Sequence, residues 1–113
     1  LLIESQIRRN RLDDAEKTVQ TALAVAPGVE VRFLQGKVLY LRGRMKEART
    51  VFESLDDAPP AIGAEALYYT GSILLSEGDV AGAKARFLQI LTFHPGITEW
   101  SDRAKSALKA LSE

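Results

Sequence analysis

At 113 residues the chain has room for one domain, and with 46% hydrophobic and 27% charged residues it reads as soluble and folded. Fifteen Lys and Arg balance fifteen Asp and Glu, so no global field draws in nucleic acid or an anionic membrane. The lack of cysteine excludes disulfides, thiolate metal sites and cysteine nucleophiles, and no apolar run approaches the roughly 20 residues that span a bilayer.

Residues 1 to 9 carry Leu2, Ile3 and Ile7 at a helical spacing, which predicts a short or truncated first helix. Asn10 and Arg11 make a turn. A second helix over Leu12 to Val25 places Leu12, Ala15, Val19, Ala22, Leu23 and Ala26 on one stripe, with Asp13, Asp14 and Glu16 in a first turn whose dipole favours carboxylates. The acidic pair there also has the residue types of a metal or acid/base site, but the dipole accounts for it. Pro27-Gly28 breaks the helix. The third helix, Val29 to Arg42, is expected to bury Val31, Leu34, Val38, Leu39 and Leu41, and Gly43 ends it. The fourth, Met45 to Leu55, carries Ala48, Val51, Phe52 and Leu55 and stops before Asp56-Asp57-Ala58-Pro59-Pro60.

The fifth helix, Ala61 to Glu77, starts from those prolines, which a first turn tolerates, and closes at Gly78. Asp79 is the expected N-cap of a sixth helix over Val80 to Phe93, which Pro95-Gly96 ends. A last helix, from Ile97 or Thr98 to Ser112, turns Trp100, Ala104, Ala107, Leu108 and Leu111 inward and its charged face outward, as a cap does. No segment alternates with period two, so no strand is predicted. The basic clusters Arg8, Arg9, Arg11 and Arg42, Arg44, Lys46 read as solvated helix ends rather than a binding patch. The chain opens on Leu1 without an initiator Met, which reads as a fragment or processed product. The cytoplasm is then the first expectation for its compartment and the periplasm the alternative.

An internal repeat organises these elements. Gly36 and Gly71, Leu39 and Leu74, Gly43 and Gly78, Ala48 and Ala83, Phe52 and Phe87, and Pro60 and Pro95 are each 35 residues apart. The second helix of each unit keeps one spacing three times: Ala15, Val19, Ala22, Pro27; Ala48, Phe52, Leu55, Pro60; Ala83, Phe87, Ile90, Pro95. With Gly36 and Gly71 twelve residues before their alanines, the pattern resembles the tetratricopeptide repeat, a helix-turn-helix of about 34 residues. The resemblance implies an all-α fold, a right-handed superhelix of helix pairs. Its parts would be a truncated first unit (1–27), a second (28–60), a third (61–96) and a capping helix (97–113), in one domain. Gly36, Ala48, Gly71 and Ala83 would let paired helices approach closely, Phe52 and Phe87 would fill the space beside them, and Pro60 and Pro95 would close their units. Departures exist. Arg32 stands where an aromatic is usual, with Phe33 displaced by one, and the longer interval from Pro60 to Gly71 implies an extra turn in the fifth helix.

In this family the first helices line a concave groove for a peptide. Carried over by register, the implied groove residues are Glu30, Phe33, Lys37, Tyr40 and Leu41 in the second unit and Glu65, Tyr68, Ser72 and Leu75 in the third, continued by Glu4, Ile7 and Arg8. Aromatics beside Lys37 and Arg8 suit a mixed apolar and acidic segment of another protein. The alternative is that they pack between units. Phe33 stays open between these readings, while the hydroxyls of Tyr40 and Tyr68 favour the groove. The lysine and asparagine clamp that one subgroup uses on chaperone tails is absent, since the only asparagine is Asn10. One histidine, His94, allows no zinc cluster or His-based triad, and no phosphate-binding loop is present. A non-enzymatic protein-binding module without cofactor or metal is therefore expected, with no nucleic acid or membrane partner. The competing expectation is a structural or self-associating, homo-oligomeric part of a longer solenoid.

Overall fold

The computed structural model describes residues 2–55 and 58–112. Seven α-helices carry these residues, and among them there is no strand: α1 (Leu2–Arg8), α2 (Leu12–Val25), α3 (Val29–Leu41), α4 (Met45–Glu53), α5 (Pro60–Ser76), α6 (Val80–Phe93) and α7 (Thr98–Ser112). Helices α2 and α6 have the predicted bounds, and the other ends differ by one or two residues. The expected loop residues Asp56 and Asp57 lie outside the described residues, as do Leu1 and Glu113. The helices fall into two compact units, Leu1–Leu55 and Asp56–Glu113.

In the first unit, α2 packs on α1 and α3, α3 also packs on α4, and α1 touches α3. Its core gathers Ile3, Ala15, Val19, Leu34 and Val38, with Ile7, Ala22 and Leu23 against it. The ring of Phe52 lies against Gly36, where an added Cβ would come within 2.6 Å of its Cε1. Phe33 completes the arrangement, its ring 5.9 Å from that of Phe52. Arg32 donates from its guanidinium to the Ser54 carbonyl at 3.2 Å and so ties the first turn of α3 to the end of α4. A polar tether thus stands where the family has an aromatic.

In the second unit α5 and α6 repeat the α3–α4 pairing, and α7 follows them. Phe87 lies against Gly71, where a Cβ would meet its Cε1 at 2.7 Å, and the Tyr68 ring stands 5.5 Å from that of Phe87. Phe33–Phe52 and Tyr68–Phe87 are therefore one ring pair seen twice. Helix α7 packs on α5 and α6, and it brings Trp100 and Ala104 into a core with Ala64, Leu74, Ala83, Phe87 and Ile90. Helix α5 has 17 residues against 13 in α3, the expected extra turn, with Pro60 at its first position.

The first repeat meets the same steric demand by different means. At the register positions of Gly36 and Phe52 it has Ile3 and Val19, 5% and 1% exposed in one cluster. A larger residue on the first helix is matched by a smaller one on the second, so the two positions change together rather than one alone.

The turns within the three helix pairs, α1–α2, α3–α4 and α5–α6, close alike. Gly43 and Gly78 have φ of 82° and 86°, the left-handed region that glycine enters without a Cβ clash. The following residues, Arg44 and Asp79, donate their backbone N–H to Leu39 and Leu74 at 2.9 Å. Asn10, at φ 57°, holds the matching position in the first repeat, and Arg11 donates to the Gln6 carbonyl at 2.8 Å. Asparagine is the other residue that tolerates this conformation.

Two expected core positions are corrected. Leu41 is 49% exposed, and its register equivalents Arg8 and Ser76 are exposed too, so this is a solvated position in every repeat. Ala26 is also exposed, because it caps α2 in extended backbone beyond the packed stripe.

Candidate partner-binding faces

The register positions 33, 37 and 40 on α3 recur as 68, 72 and 75 on α5, and each set steps by four and three residues along one side of its helix. In the first unit this stripe begins with Phe33, which is buried on Phe52 and is therefore a wall residue rather than an accessible anchor. The Lys37 ammonium lies 5.7 Å over the Phe33 ring, and Tyr40 beyond it is half-buried. Leu41 is exposed beside Tyr40, and Arg8 is exposed at the end of α1. Glu30 is exposed in the first turn of α3, and Glu4 likewise on α1.

In the second unit Tyr68 has a packing role. Its ring stands 5.3 Å from Trp100, 5.5 Å from Phe87 and 6.4 Å from Tyr69. The Tyr69 hydroxyl donates to Glu65 at 3.0 Å, and the Ser72 hydroxyl donates back to the Tyr68 carbonyl at 3.0 Å. Leu75, 38% exposed, ends the stripe. Trp100 is buried in this aromatic group with the Arg103 guanidinium 4.5 Å from its ring, so it is a core residue as its spacing predicts. The stripe thus runs from ring packing at one end to half-buried Tyr40 in the first unit and exposed Leu75 in the second.

The acidic first turn of α2 has a structural use. Arg42 Nη1 donates to Asp13 and its Nε lies 3.1 Å from Glu16, Arg44 reaches Glu16 at 3.2 Å, and Arg11 reaches Asp14 at 2.7 Å. The hydrogen bond that Arg42 donates to Asp13, opposed by desolvation and helped by the charges of Asp13 and Glu16, raises the pKa of the Arg42 guanidinium above its ordinary value. The basic cluster after α3 is therefore paired with the acids of α2 across the hairpin, a link that lies outside any local spacing. Beside it a small pocket of about 110 Å³ is lined by Glu16, Gln20, Gln35, Arg44 and Glu47 over Val19, Val38 and Leu39. Among the described residues no three His, Asp or Glu side chains gather as a metal would require, and no helix is long and apolar enough to cross a membrane. His94 stands at the C-cap of α6, as its place before Pro95 predicts.

Models of the tetratricopeptide repeat match residues 1–62 and 65–96. The chain belongs to the tetratricopeptide repeat family. Among curated protein sequences none matches it. Among solved structures, this tetratricopeptide repeat chain is similar to SycD from Yersinia enterocolitica, a type III secretion translocator chaperone seen in an alternative dimer. The TM-score is 0.82 at 20% identity, over 98% of this chain and 86% of the other. A second SycD structure, in complex with a peptide of the translocator YopD, gives a TM-score of 0.81 at 19% identity, over 98% and 87% of the two chains. At such identities the likeness is one of fold.

Proposed function

We propose that the chain is a non-enzymatic protein–protein interaction module that takes up a peptide segment of a partner on the first-helix faces of its repeats. The residues assigned to contact are Arg8, Lys37, Tyr40 and Leu41 in the first unit and Ser72 and Leu75 in the second. Phe33 and Tyr68 support them from beneath. One observation carries the reading: near their C-terminal ends α3 and α5 each leave a large apolar side chain exposed, Leu41 at 49% and, one register position earlier, Leu75 at 38%, beyond a core that does not need them. Apolar side chains beside Lys37 and Arg8 favour a segment with apolar anchors and acidic neighbours. SycD, whose fold this chain shares, has been captured with a peptide of YopD, which supports a peptide as the occupant here.

The test uses Leu41→Ser/Leu75→Ser, since truncating Tyr68 would disturb the ring group around Trp100. A photo-crosslinking side chain at position 37 or 72 is expected to capture a partner segment from native lysate. The same side chain at exposed Thr50 on α4 should not capture it, and the double variant should lose it while melting like the parent. Equal capture from position 50, or undiminished capture by the double variant, refutes the assignment.

A further inference from the structure

The second helices of the repeats have an outward face opposite their core stripe, and the register compares it three times. On α2 its positions hold Asp13, Lys17 and Gln20, and on α4 they hold Lys46, Thr50 and Glu53. On α6 the same positions hold Ala81, Ala85 and Leu88. All nine are exposed, with Leu88 at 52%. Thr92 extends the α6 stripe by a turn, and its hydroxyl is satisfied within the helix by the Leu88 carbonyl at 2.9 Å. Ala83, Phe87 and Ile90 on the other side of α6 already supply its core contacts. Scattered exposed apolar residues need no explanation, but a continuous apolar row over two turns, where two sister helices are polar, does.

The shape and charge of the row select an occupant. Two alanines four residues apart allow a second helix to approach closely, and Leu88 offers a knob for it to receive. Helix α6 contains Lys84 and Arg86 and no acidic residue. Lys84 borders the row, three residues from Ala81 and four from Leu88, whereas Arg86 donates to Gln89 at 3.3 Å. A second copy of this chain laid on the row would set one Lys84 beside the other along a seam with no carboxylate on α6 to answer them. We infer that the outward face of α6 docks an amphipathic helix of a different protein, one with an apolar seam and acidic flanks. This face belongs to another helix than the peptide stripe and does not rest on that reading.

Two labelled helical peptides of about 18 residues, identical along a Leu/Ala seam but flanked by Glu in one and Lys in the other, test it by fluorescence anisotropy with the full chain. The Glu-flanked peptide is expected to bind roughly tenfold more tightly than the Lys-flanked one, and Lys84→Glu should reverse that preference. Leu88→Lys should abolish binding without lowering the melting temperature, because Leu88 is outside the core. The proposal is overturned if the Glu-flanked peptide does not bind, if Lys84→Glu leaves the preference unchanged, or if Leu88→Lys still binds. Binding lost instead in Leu41→Ser/Leu75→Ser would move it to the α3 and α5 stripe and also overturn it. A concentration-dependent dimer in sedimentation that Leu88→Lys dissolves would overturn it in favour of a second copy.

Discussion

Gly71→Ala places one carbon where the repeat leaves none. The added Cβ would stand 2.7 Å from Phe87 Cε1, 3.0 Å from Cζ and 3.1 Å from Cδ1. Carbon atoms settle at about 3.5–4.0 Å, so the ring must retreat by roughly 0.8 Å. Phe87 is 2% exposed and backs onto the Tyr68 ring, which leaves it nowhere to go. Overpacking of this kind costs about 1–3 kcal/mol. Alanine in a helix interior otherwise gains about 1 kcal/mol over glycine. The single variant is therefore expected to be neutral to about 2 kcal/mol less stable than the parent. Its sign should reverse in a Phe87→Leu background, where the shorter side chain vacates the contact and the helix preference of alanine remains. Urea unfolding followed by Trp100 fluorescence, with Trp100 in the same core, measures the four corners of this cycle. A coupling of about 1–3 kcal/mol is expected, and one below about 0.5 kcal/mol would refute the steric account of the Gly–Phe pair.

Two further outcomes follow from single contacts. Asp79 accepts the Gly82 N–H at 2.8 Å as the N-cap of α6, so Asp79→Ala should cost about 1 kcal/mol in the same urea assay and Asp79→Asn should restore most of it. Arg42→Gln removes exposed ion pairs to Asp13 and Glu16, and its effect on the melt should be smaller than that of truncating Phe52 and should shrink further in high salt. Because the folded-state value of Arg42 is raised above its ordinary one, the pair contributes fully below that range and is lost only as pH climbs through it. The gap between parent and variant should accordingly be unchanged from neutrality to about pH 10.

The fold was legible because the repeat constrains sizes at fixed spacing. Gly36 and Phe52, and Gly71 and Phe87, are identities at one offset, and each pair is a physical contact. In the first repeat the second helix carries the shared spacing, but the first helix gives only a weak signal, since there the repeat keeps the backbone conformation but not the residues. Ile3 with Val19 replaces Gly with Phe, and Asn10 replaces Gly43 as the left-handed residue. The signal was present as register: position 10 falls 33 residues before Gly43, as Ala15 falls before Ala48. The partnership of Arg42 and Arg44 with α2 had no such signal, because it joins residues 26 to 29 apart that no periodicity relates.

The candidate site was less legible for a different reason. A helix stripe names the residues on one side of a helix, but the partner's reach decides which of them stay accessible. Phe33 and Lys37 share a stripe, yet Phe33 meets the ring of Phe52 and is buried while Lys37 lies over it. Tyr68 shows the same effect more strongly, since α7 adds Trp100 to its surroundings. Comparing repeats position by position recovers part of what periodicity loses. Where Arg8, Leu41 and Ser76 share a position, the polar pair mark it as solvated, and Leu41 is indeed exposed there. The same comparison isolates Ala81, Ala85 and Leu88, whose counterparts on α2 and α4 are polar and whose own core contacts are made on the opposite side of α6. An apolar residue at a position that its sister repeats keep polar is not required by the shared fold, so its explanation has to be sought in what this particular helix meets.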